Sequence, residues 1–235
     1  MKLVIYNLLI LLLIPIFQLR ILIKSYRDRG YRANFAHRYG RNFTTINRQK
    51  KKLIWFHAVS LGEVIGSQDV IRLMLKHYDV VLTTTTPTGF RKAQEIYKDS
   101  IAINYAPWDL NILIQRFIDF YQPEALLIFE TEIWPAMIST TYKKHIPIFL
   151  INARLSLKSY KAYSKVSWLL QDIMQMITFV FAQTPRHLER FIQLGIKKEQ
   201  INIVGSVKFD APGLHPKDLD LPDFILGAST HLGEE

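Results

Sequence analysis

The sequence predicts an α/β protein built on a doubly wound parallel sheet. Seven short apolar runs follow one another after residue 51, and stretches with helical spacing separate them. The runs are rich in Val, Ile and Phe, nearly continuous in apolar character and too short for helices, as parallel strands covered on both faces should be. Strands that alternate with helices in this way are typical of a doubly wound sheet.

The elements can be placed one by one. The predicted strands are residues 52–59, 79–85, 100–106, 124–130, 146–153, 178–183 and 202–206. The predicted helices are residues 62–77, 88–97, 110–121, 133–144, 163–177 and 185–194. Asp109 can cap the third helix, Thr184 and Pro185 suit the start of the last, and Gly195 can end it.

The composition is that of a protein with a real core. Of 235 residues, 49% are hydrophobic and 21% are charged, which leaves room for one large domain, or one domain with an anchor and a stub. There is no cysteine. Disulfides, thiolate metal sites and a cysteine nucleophile are therefore excluded, and the chain fits a reducing compartment.

The positive charge is concentrated in one place. The net charge is +10, and residues 20–52 hold eleven Lys or Arg and one acid, Asp28. The remainder carries nineteen positive and nineteen negative side chains, so we expect no nucleic-acid partner. A basic cluster beside an apolar segment either contacts anionic lipid head groups or forms a solvated flank that sets topology. Both alternatives place the bulk of the chain in the cytoplasm.

The first 23 residues are predicted to be a membrane anchor, followed by a basic juxtamembrane segment at 24–51. The apolar stretch 3–23 is long enough to span a bilayer as a helix. Because Asn7, Pro15, Gln18 and Arg20 interrupt it, a tilted or monotopic insertion also stays open. A signal peptide is disfavoured, since no small-residue cleavage site follows.

The far end of the chain changes in character. Residues 52–210 form the predicted domain, and residues 211–223 contain three prolines without periodicity, which indicates a linker. A new apolar run begins at residue 224, and residues 224–235 read as the start of a second, truncated domain. We expect a fragment of a longer gene product, an engineered piece or the remnant of a broken gene.

Polar residues collect after the strands, where ligands of open α/β sheets bind. The first strand is followed by Ser60, Gly62 and Glu63, at a helix start that favours an anion. Glu63 either complements the helix dipole or acts chemically in the cleft. The second strand is followed by a threonine-rich loop, which either caps the next helix or hydrogen-bonds sugar hydroxyls or phosphate: Thr84, Thr85, Thr86 and Thr88.

The later strands add charge to the same cleft. Glu130 and Glu132 follow the fourth strand, where buried carboxylates are costly unless they pair, cap or bind a ligand. Arg154 and Ser159 follow the fifth strand and form a plausible clamp for a phosphate or an acidic sugar. Lys208 follows the seventh. The chain has no P-loop and no GxGxxG motif. Its scattered histidines suit core or surface positions better than a metal site.

The motifs HAVSLGEV, TTTTPTG, FETEIWP, INARLS with KSY, AQTPRHLERFIQLG, VGSVKFD and ASTHLGEE follow in this order. Together they resemble the 3-deoxy-D-manno-octulosonic acid (Kdo) transferases of lipopolysaccharide assembly, over the whole chain. The resemblance implies the GT-B fold, with a Rossmann-like N-terminal domain that binds the lipid A acceptor at the membrane. A C-terminal domain would bind CMP-Kdo, and the reaction would invert the anomeric carbon.

The resemblance also implies roles for residues. Glu63 would be the general base, and Glu130 and Lys208 would stabilise the transition state. The acceptor or donor pocket would be lined by Ser60, Gly62, Thr84, Thr85, Thr86, Thr88, Glu132, Arg154 and Ser159. The basic segment would face anionic lipids of the inner membrane, on its cytoplasmic side, and the phosphates of a lipid A precursor.

No metal or cofactor is implied beyond the donor substrate, CMP-Kdo. Because most of the donor domain would lie after residue 235, the chain alone should bind CMP-Kdo poorly and is expected to be inactive. Two other functions stay open. One is a non-catalytic membrane-bound fragment that binds lipid A, and the other is a different GT-B transferase that acts on a lipid-linked acceptor. The oligomeric state is left open as well.

Overall fold

The computed structural model describes residues 2–49 and 52–207. Seven strands form one sheet: β1 (Leu53–His57), β2 (Asp79–Thr84), β3 (Ala102–Tyr105), β4 (Ala125–Phe129), β5 (Ile148–Ala153), β6 (Phe179–Ala182) and β7 (Ile201–Ile203). All neighbouring strands are parallel, in the order β3-β2-β1-β4-β5-β6-β7. The strand order reverses between β1 and β4, which creates a crevice at their carboxyl ends. The predicted doubly wound parallel sheet is confirmed.

Nine α-helices lie in the described part of the chain. They are α1 (Lys2–Ser25), α2 (Leu61–Gly66), α3 (Gln68–Met74), α4 (Pro87–Tyr97), α5 (Asn111–Tyr121), α6 (Pro135–Lys143), α7 (Leu157–Ser164), α8 (Ser167–Met174) and α9 (Pro185–Gln193). Each connection between strands crosses over through helices, because parallel strands cannot be joined by a tight turn.

Helices cover both faces of the sheet, and successive strand residues alternate between two cores. Trp55 and Leu126 face a large cluster that includes Phe117 of α5. Phe56 faces the other cluster, which includes Phe90 of α4. Since both faces are buried, each strand reads as a continuous apolar run rather than an alternating one.

Two predicted helices are each divided in two. The stretch 62–77 breaks at the buried Ser67, whose hydroxyl donates to the Val64 carbonyl over 3.2 Å, and a new helix starts at Gln68. The stretch 163–177 begins earlier, at Leu157, because Ser156 caps α7 by accepting a hydrogen bond from the Ser159 N–H. It is interrupted before α8 begins.

The predicted cap at Asp109 is wrong. The residue before α5 is Leu110, which offers no side-chain cap. Asp109 instead accepts hydrogen bonds from the backbone N–H groups of Ala136 and Met137, over 3.0 and 2.7 Å, at the start of α6. The Tyr6 hydroxyl donates to the same carboxylate over 2.7 Å. Asp109 thus joins α1 and α6.

The predicted boundaries of α9 are confirmed. The Thr184 hydroxyl accepts a hydrogen bond from the His187 N–H, and Pro185 occupies the first turn. Gly195 follows the helix with a φ of +117°, a backbone conformation that glycine adopts without strain.

The N-terminal helix α1 packs along the domain. By length and composition alone it could cross a membrane, which is weak grounds for assigning a span. Its docked side contacts α5, α6 and the loop before α5. Asn7 bonds Asn111, Ile14 packs on Leu110 and Leu113, and Phe17 stacks on Trp108. The opposite side exposes leucines and isoleucines to the surroundings.

The basic segment after α1 packs closely against the sheet. Two 3₁₀ turns, Arg29–Tyr31 and Phe35–Tyr39, lead into a stretch in which Phe43 joins the large core cluster. Thr44 then hydrogen-bonds the side chain of Asn104 on β3. The predicted linker at 211–223, the predicted second domain at 224–235 and Lys208 lie outside the described residues.

Candidate active site at the crevice between β1 and β4

The Glu63 carboxylate is fixed at the start of α2, directly after β1. Its Oε2 accepts a hydrogen bond from the Val59 N–H and its Oε1 one from the Ser60 hydroxyl, each over 2.8 Å. The Ser60 oxygen in turn accepts a hydrogen bond from the Glu63 N–H. This is close to the reciprocal arrangement of a capping box. The side chain therefore complements the helix start and is also held in one orientation at the crevice.

Burial changes the acidity of this carboxyl group. Glu63 is only 8% exposed, and loss of hydration raises its pKa to about 7. The hydrogen bonds from Val59 and Ser60 oppose this rise, and the nearby charges of Glu132 and Glu130 add to it. A carboxylate with this pKa can exchange a proton near neutral pH, as a general base must.

The two other acids follow β4, across the crevice from Glu63. Glu130 has a φ of +60°, a left-handed conformation that is uncommon for residues with a side chain, and its N–H donates to the Ile151 carbonyl. Glu132 accepts a hydrogen bond from the Trp134 indole N–H over 2.9 Å. Burial raises the pKa of Glu132, and the charge of Glu130 raises it further.

A buried histidine supports this side of the crevice. The His57 ring meets Trp134 edge-to-face at 4.9 Å, and its Nδ1 lies 2.8 Å from the Thr83 hydroxyl. Complete burial lowers the pKa of His57 to about 3, so the ring is neutral at pH 7. The sequence predicts core or surface positions for the histidines, and His57 lies in the core. Its support of Trp134, and through it Glu132, could not be deduced from spacing.

The threonine loop mainly holds the site together. The hydroxyls of Thr84 and Thr85 both donate to the Val59 carbonyl, over 2.9 and 3.1 Å. Thr86 caps α4 by accepting a hydrogen bond from the Gly89 N–H. Thr88 is exposed, with its hydroxyl 3.4 Å from that of Thr86. The loop thus fixes the backbone of Val59, and Val59 fixes Glu63.

Two glycines at this edge have opposite surroundings. A Cβ at Gly89 would lie 2.7 Å from the Thr84 hydroxyl oxygen, so only glycine permits this approach of α4 to the first loop. Gly62 is exposed, and a Cβ there would have only the Ser60 hydroxyl within 4.0 Å. The space above the start of α2 is therefore open to a ligand.

The remaining predicted site residues lie near the edge of the crevice. Arg154 is exposed, and its carbonyl accepts a hydrogen bond from the Thr131 hydroxyl in the loop of the two acids. Ser159 lies in the first turn of α7, where its hydroxyl contacts that of Ser156 at 2.9 Å. The structure therefore brings Ser60, Glu63, Glu130 and Glu132 together. Sequence reasoning missed Tyr163, whose pKa is raised by burial and by the Glu132 charge.

A comparison with models of known protein families shows which family the chain belongs to. The family model described as 3-deoxy-D-manno-octulosonic-acid transferase (kdotransferase) matches residues 33–211, well over half of the chain. The chain belongs to this Kdo transferase family. The resemblance inferred from the motifs is confirmed.

Individual relatives agree with the family match. The 3-deoxy-D-manno-octulosonic acid transferase of Haemophilus influenzae is 34% identical over 247 residues, which cover 98% of this chain and 57% of that protein. The enzyme of the same name from Rickettsia felis is 30% identical over 79% of this chain and 42% of its own length. The matched part of the chain thus spans about half the length of these relatives.

Solved structures show the same fold. The UDP-GlcNAc 2-epimerase of Neisseria meningitidis superposes on this Kdo transferase family member with a TM-score of 0.51 and 15% sequence identity. The superposition covers 68% of this chain and 48% of the epimerase. At this identity the likeness concerns the Rossmann-like, GT-B-type fold alone.

Proposed function

We propose that the protein containing this chain transfers Kdo from CMP-Kdo to a lipid A precursor, and that this chain supplies the acceptor-binding side. Family membership supports the Kdo donor group. The observation that carries the mechanistic part is the buried Glu63 carboxylate, whose pKa lies at about 7 in the crevice between β1 and β4. The acceptor lipid and the activated form of the sugar are inferred from the family resemblance.

In the proposed reaction, Glu63 is the general base. An acceptor hydroxyl attacks the anomeric carbon of Kdo and passes its proton to Glu63, while the bond from that carbon to the CMP phosphate oxygen breaks. A carboxylate oxygen has lone pairs beyond the one that each protein hydrogen bond uses, so Glu63 can accept from the substrate without losing its orientation. Attack from the side opposite CMP inverts the anomeric centre.

The other acids have an electrostatic role in the proposed reaction and do not transfer protons. Glycosyl transfer passes through a transition state with positive charge on the sugar ring, and we propose that Glu130 stabilises it electrostatically. Glu132 lies beside it and is oriented by Trp134. Lys208 would stabilise the negative charge on the donor. CMP-Kdo enters as a substrate, and the proposal needs no resident cofactor.

The proposal includes a cellular location. Helix α1 exposes a continuous apolar side, including Leu8, Leu12, Ile16 and Leu19, and basic residues follow it. We place this side in the cytoplasmic leaflet of the inner membrane, with the cations near anionic head groups. Because the other side of α1 is docked on α5 and α6, an orientation along the membrane surface fits the structure better than an isolated span.

The test is Kdo transfer by the longest gene product that contains these residues. With CMP-Kdo and a tetraacyl lipid A precursor, Glu63→Gln should lower kcat by about 10²- to 10⁴-fold, the usual contribution of a general base. Glu95→Gln, which removes an exposed carboxylate on α4, should leave kcat unchanged. Full turnover by the Glu63 variant would refute the catalytic role. Acceptor binding without any transfer by the unaltered protein would instead indicate a binding module.

A further inference from the structure

Arg38 is an unusual cation for this fold because it is buried without a carboxylate partner. The side chain is 4% exposed, and none of the ion pairs among residues 2–49 and 52–207 includes it. Burial lowers its pKa only to about 10, so it remains charged at neutral pH. A buried, uncompensated charge is costly to a fold, and an anionic ligand bound at this place would compensate it.

The contacts that Arg38 does make leave part of the guanidinium unused. One terminal nitrogen donates to the Thr85 carbonyl over 2.8 Å, and the group lies 4.3 Å from the centre of the Tyr105 ring. Its Nε is buried without a hydrogen-bond partner. The same is true of the Trp108 indole N–H, which lies close by. Two buried donors therefore lack an acceptor at one place.

A cavity opens beside these donors. It has a volume of about 220 Å³, and its lining includes Arg20 and Lys24 of α1, Arg38, Trp108 and Thr86. Three cations and no acid line it among the described residues. The Thr86 hydroxyl accepts hydrogen bonds from Gly89 and Thr88, which leaves its own proton for a ligand. Arginine and hydroxyl donors of this kind suit a phosphate.

A second, apolar cavity adjoins the first. It has a volume of about 590 Å³, is lined mainly by Pro15, Leu19, Leu22 and Phe35, and shares Ile21 with the cationic cavity. A ligand that fills both has a phosphate at one end and an acyl chain at the other. This combination indicates a phosphorylated lipid rather than free phosphate.

The position of the cationic cavity connects it to the proposed reaction. Arg38 donates to the Thr85 carbonyl, the Thr85 N–H donates to the Val59 carbonyl, and the Val59 N–H donates to Glu63. We propose that Arg38, with Arg20 and Lys24, binds a phosphate group of the acylated acceptor and so orients its reacting hydroxyl. This inference rests on the proposed function for the acceptor's identity.

Binding can be measured on the 235-residue chain in detergent without any donor, so the test is independent of transfer. The probes are a tetraacyl, bisphosphorylated disaccharide lipid and the same lipid after enzymatic dephosphorylation. The unaltered chain should bind the phosphorylated form at least about tenfold more tightly, since charge-assisted hydrogen bonds are each worth that much. Equal affinities would overturn the proposal, whether or not the full protein transfers Kdo.

Exposed residues provide matched variants that should fold normally. Arg20→Gln with Lys24→Gln should lose most of the preference for the phosphorylated lipid. Arg27→Gln with Arg29→Gln removes the same charge from exposed positions that line neither cavity. This variant should keep the preference for the phosphorylated lipid. If both double variants lose the preference equally, the lipid is attracted by nonspecific electrostatics, and the proposed site is overturned.

Arg38→Met separates a ligand-binding arginine from a structural one. A methionine of similar length removes the buried charge, so the lipid-free chain should keep its melting temperature within a few degrees while the phosphate preference disappears. Unfolding of this variant together with full preference in the Arg20 and Lys24 variant would show a purely structural role. Competition by dioleoylphosphatidic acid as effective as by the disaccharide would assign the site to bilayer phospholipid and refute the acceptor assignment.

Discussion

Replacing Glu63 by glutamine should make the free energy of unfolding less dependent on pH. In the folded chain burial raises the pKa of Glu63 from an ordinary value of 4.5 to about 7. A carboxyl group with a raised folded pKa contributes stability below pH 4.5, where it is protonated in both states. That contribution is lost as the pH rises through 7, because the unfolded state then ionises more readily than the folded state.

The size of the effect follows from this pKa difference. Each unit of difference corresponds to 1.36 kcal/mol, so Glu63 should cost the unaltered chain about 3 kcal/mol between pH 4.5 and pH 8. Since Glu63 is 8% exposed, screening by water reduces this value little. Glutamine cannot ionise, and the variant should therefore gain about 3 kcal/mol relative to the unaltered chain over the same pH range.

The assay is urea denaturation at intervals from pH 4.5 to 8, followed by tryptophan fluorescence, with the unaltered chain and each variant measured side by side. Because each variant is compared with the unaltered chain at the same pH, the titration of other buried groups cancels from the difference in the free energy of unfolding. Glu95→Gln is the control for removing an exposed carboxylate. If the difference between the Glu63 variant and the unaltered chain stays constant within about 0.5 kcal/mol, the pKa of Glu63 is not raised and the argument for a general base fails.

Three further predictions concern neighbouring residues. Glu132→Gln removes a like charge and should move the pKa of Glu63 downward, so the acid limb of the pH–kcat profile should shift to lower pH; an unchanged limb would contradict the coupling. Asp109→Asn should lower stability by about 1–3 kcal/mol, measured by urea denaturation, because the amide has only one acceptor oxygen and its NH₂ group would face one of the N–H donors at the start of α6. Gly89→Ala should destabilise the chain by a similar amount, since its Cβ would collide with Thr84; an unchanged melting temperature would show that the loop can yield.

Much of the sheet was predictable because its strands are buried on both faces, and burial alone dictates continuous apolar runs. Strand positions therefore agree with prediction to within a few residues. The breaks at Ser67 and before α8 were not predictable, since a serine hydroxyl that returns to its own helix backbone leaves the apolar spacing intact. The predicted cap at Asp109 was wrong because its position in the sequence favours the adjacent helix α5. In the structure its carboxylate accepts hydrogen bonds from the first N–H groups of α6 instead.

The positions of the candidate site residues were predictable where their geometry is local. Ser60 and Glu63 have the spacing of a reciprocal helix cap, and strand ends bring Glu63, Glu130 and Glu132 to one crevice. The burial of Arg38 could not be foreseen, because the surrounding sequence is typical of an exposed basic flank. Arg38 is buried because it packs on Tyr105 and Trp108, which lie about 70 residues further along the chain.

The arrangement of α1 bears on how a lipid substrate could reach the crevice. The C-terminal half of α1 borders the cationic cavity, which also touches Thr85 and Thr86 at the end of β2. The edge of the sheet that holds the crevice thus lies on the same side as the helix that exposes Leu12 and Ile16. If that apolar side lies in a leaflet, a lipid can place its head group at the crevice while its acyl chains remain in the membrane. Removing a lipid entirely from a bilayer costs roughly 0.8 kcal/mol for each CH₂ group, so this geometry avoids a cost that no head-group contact could offset.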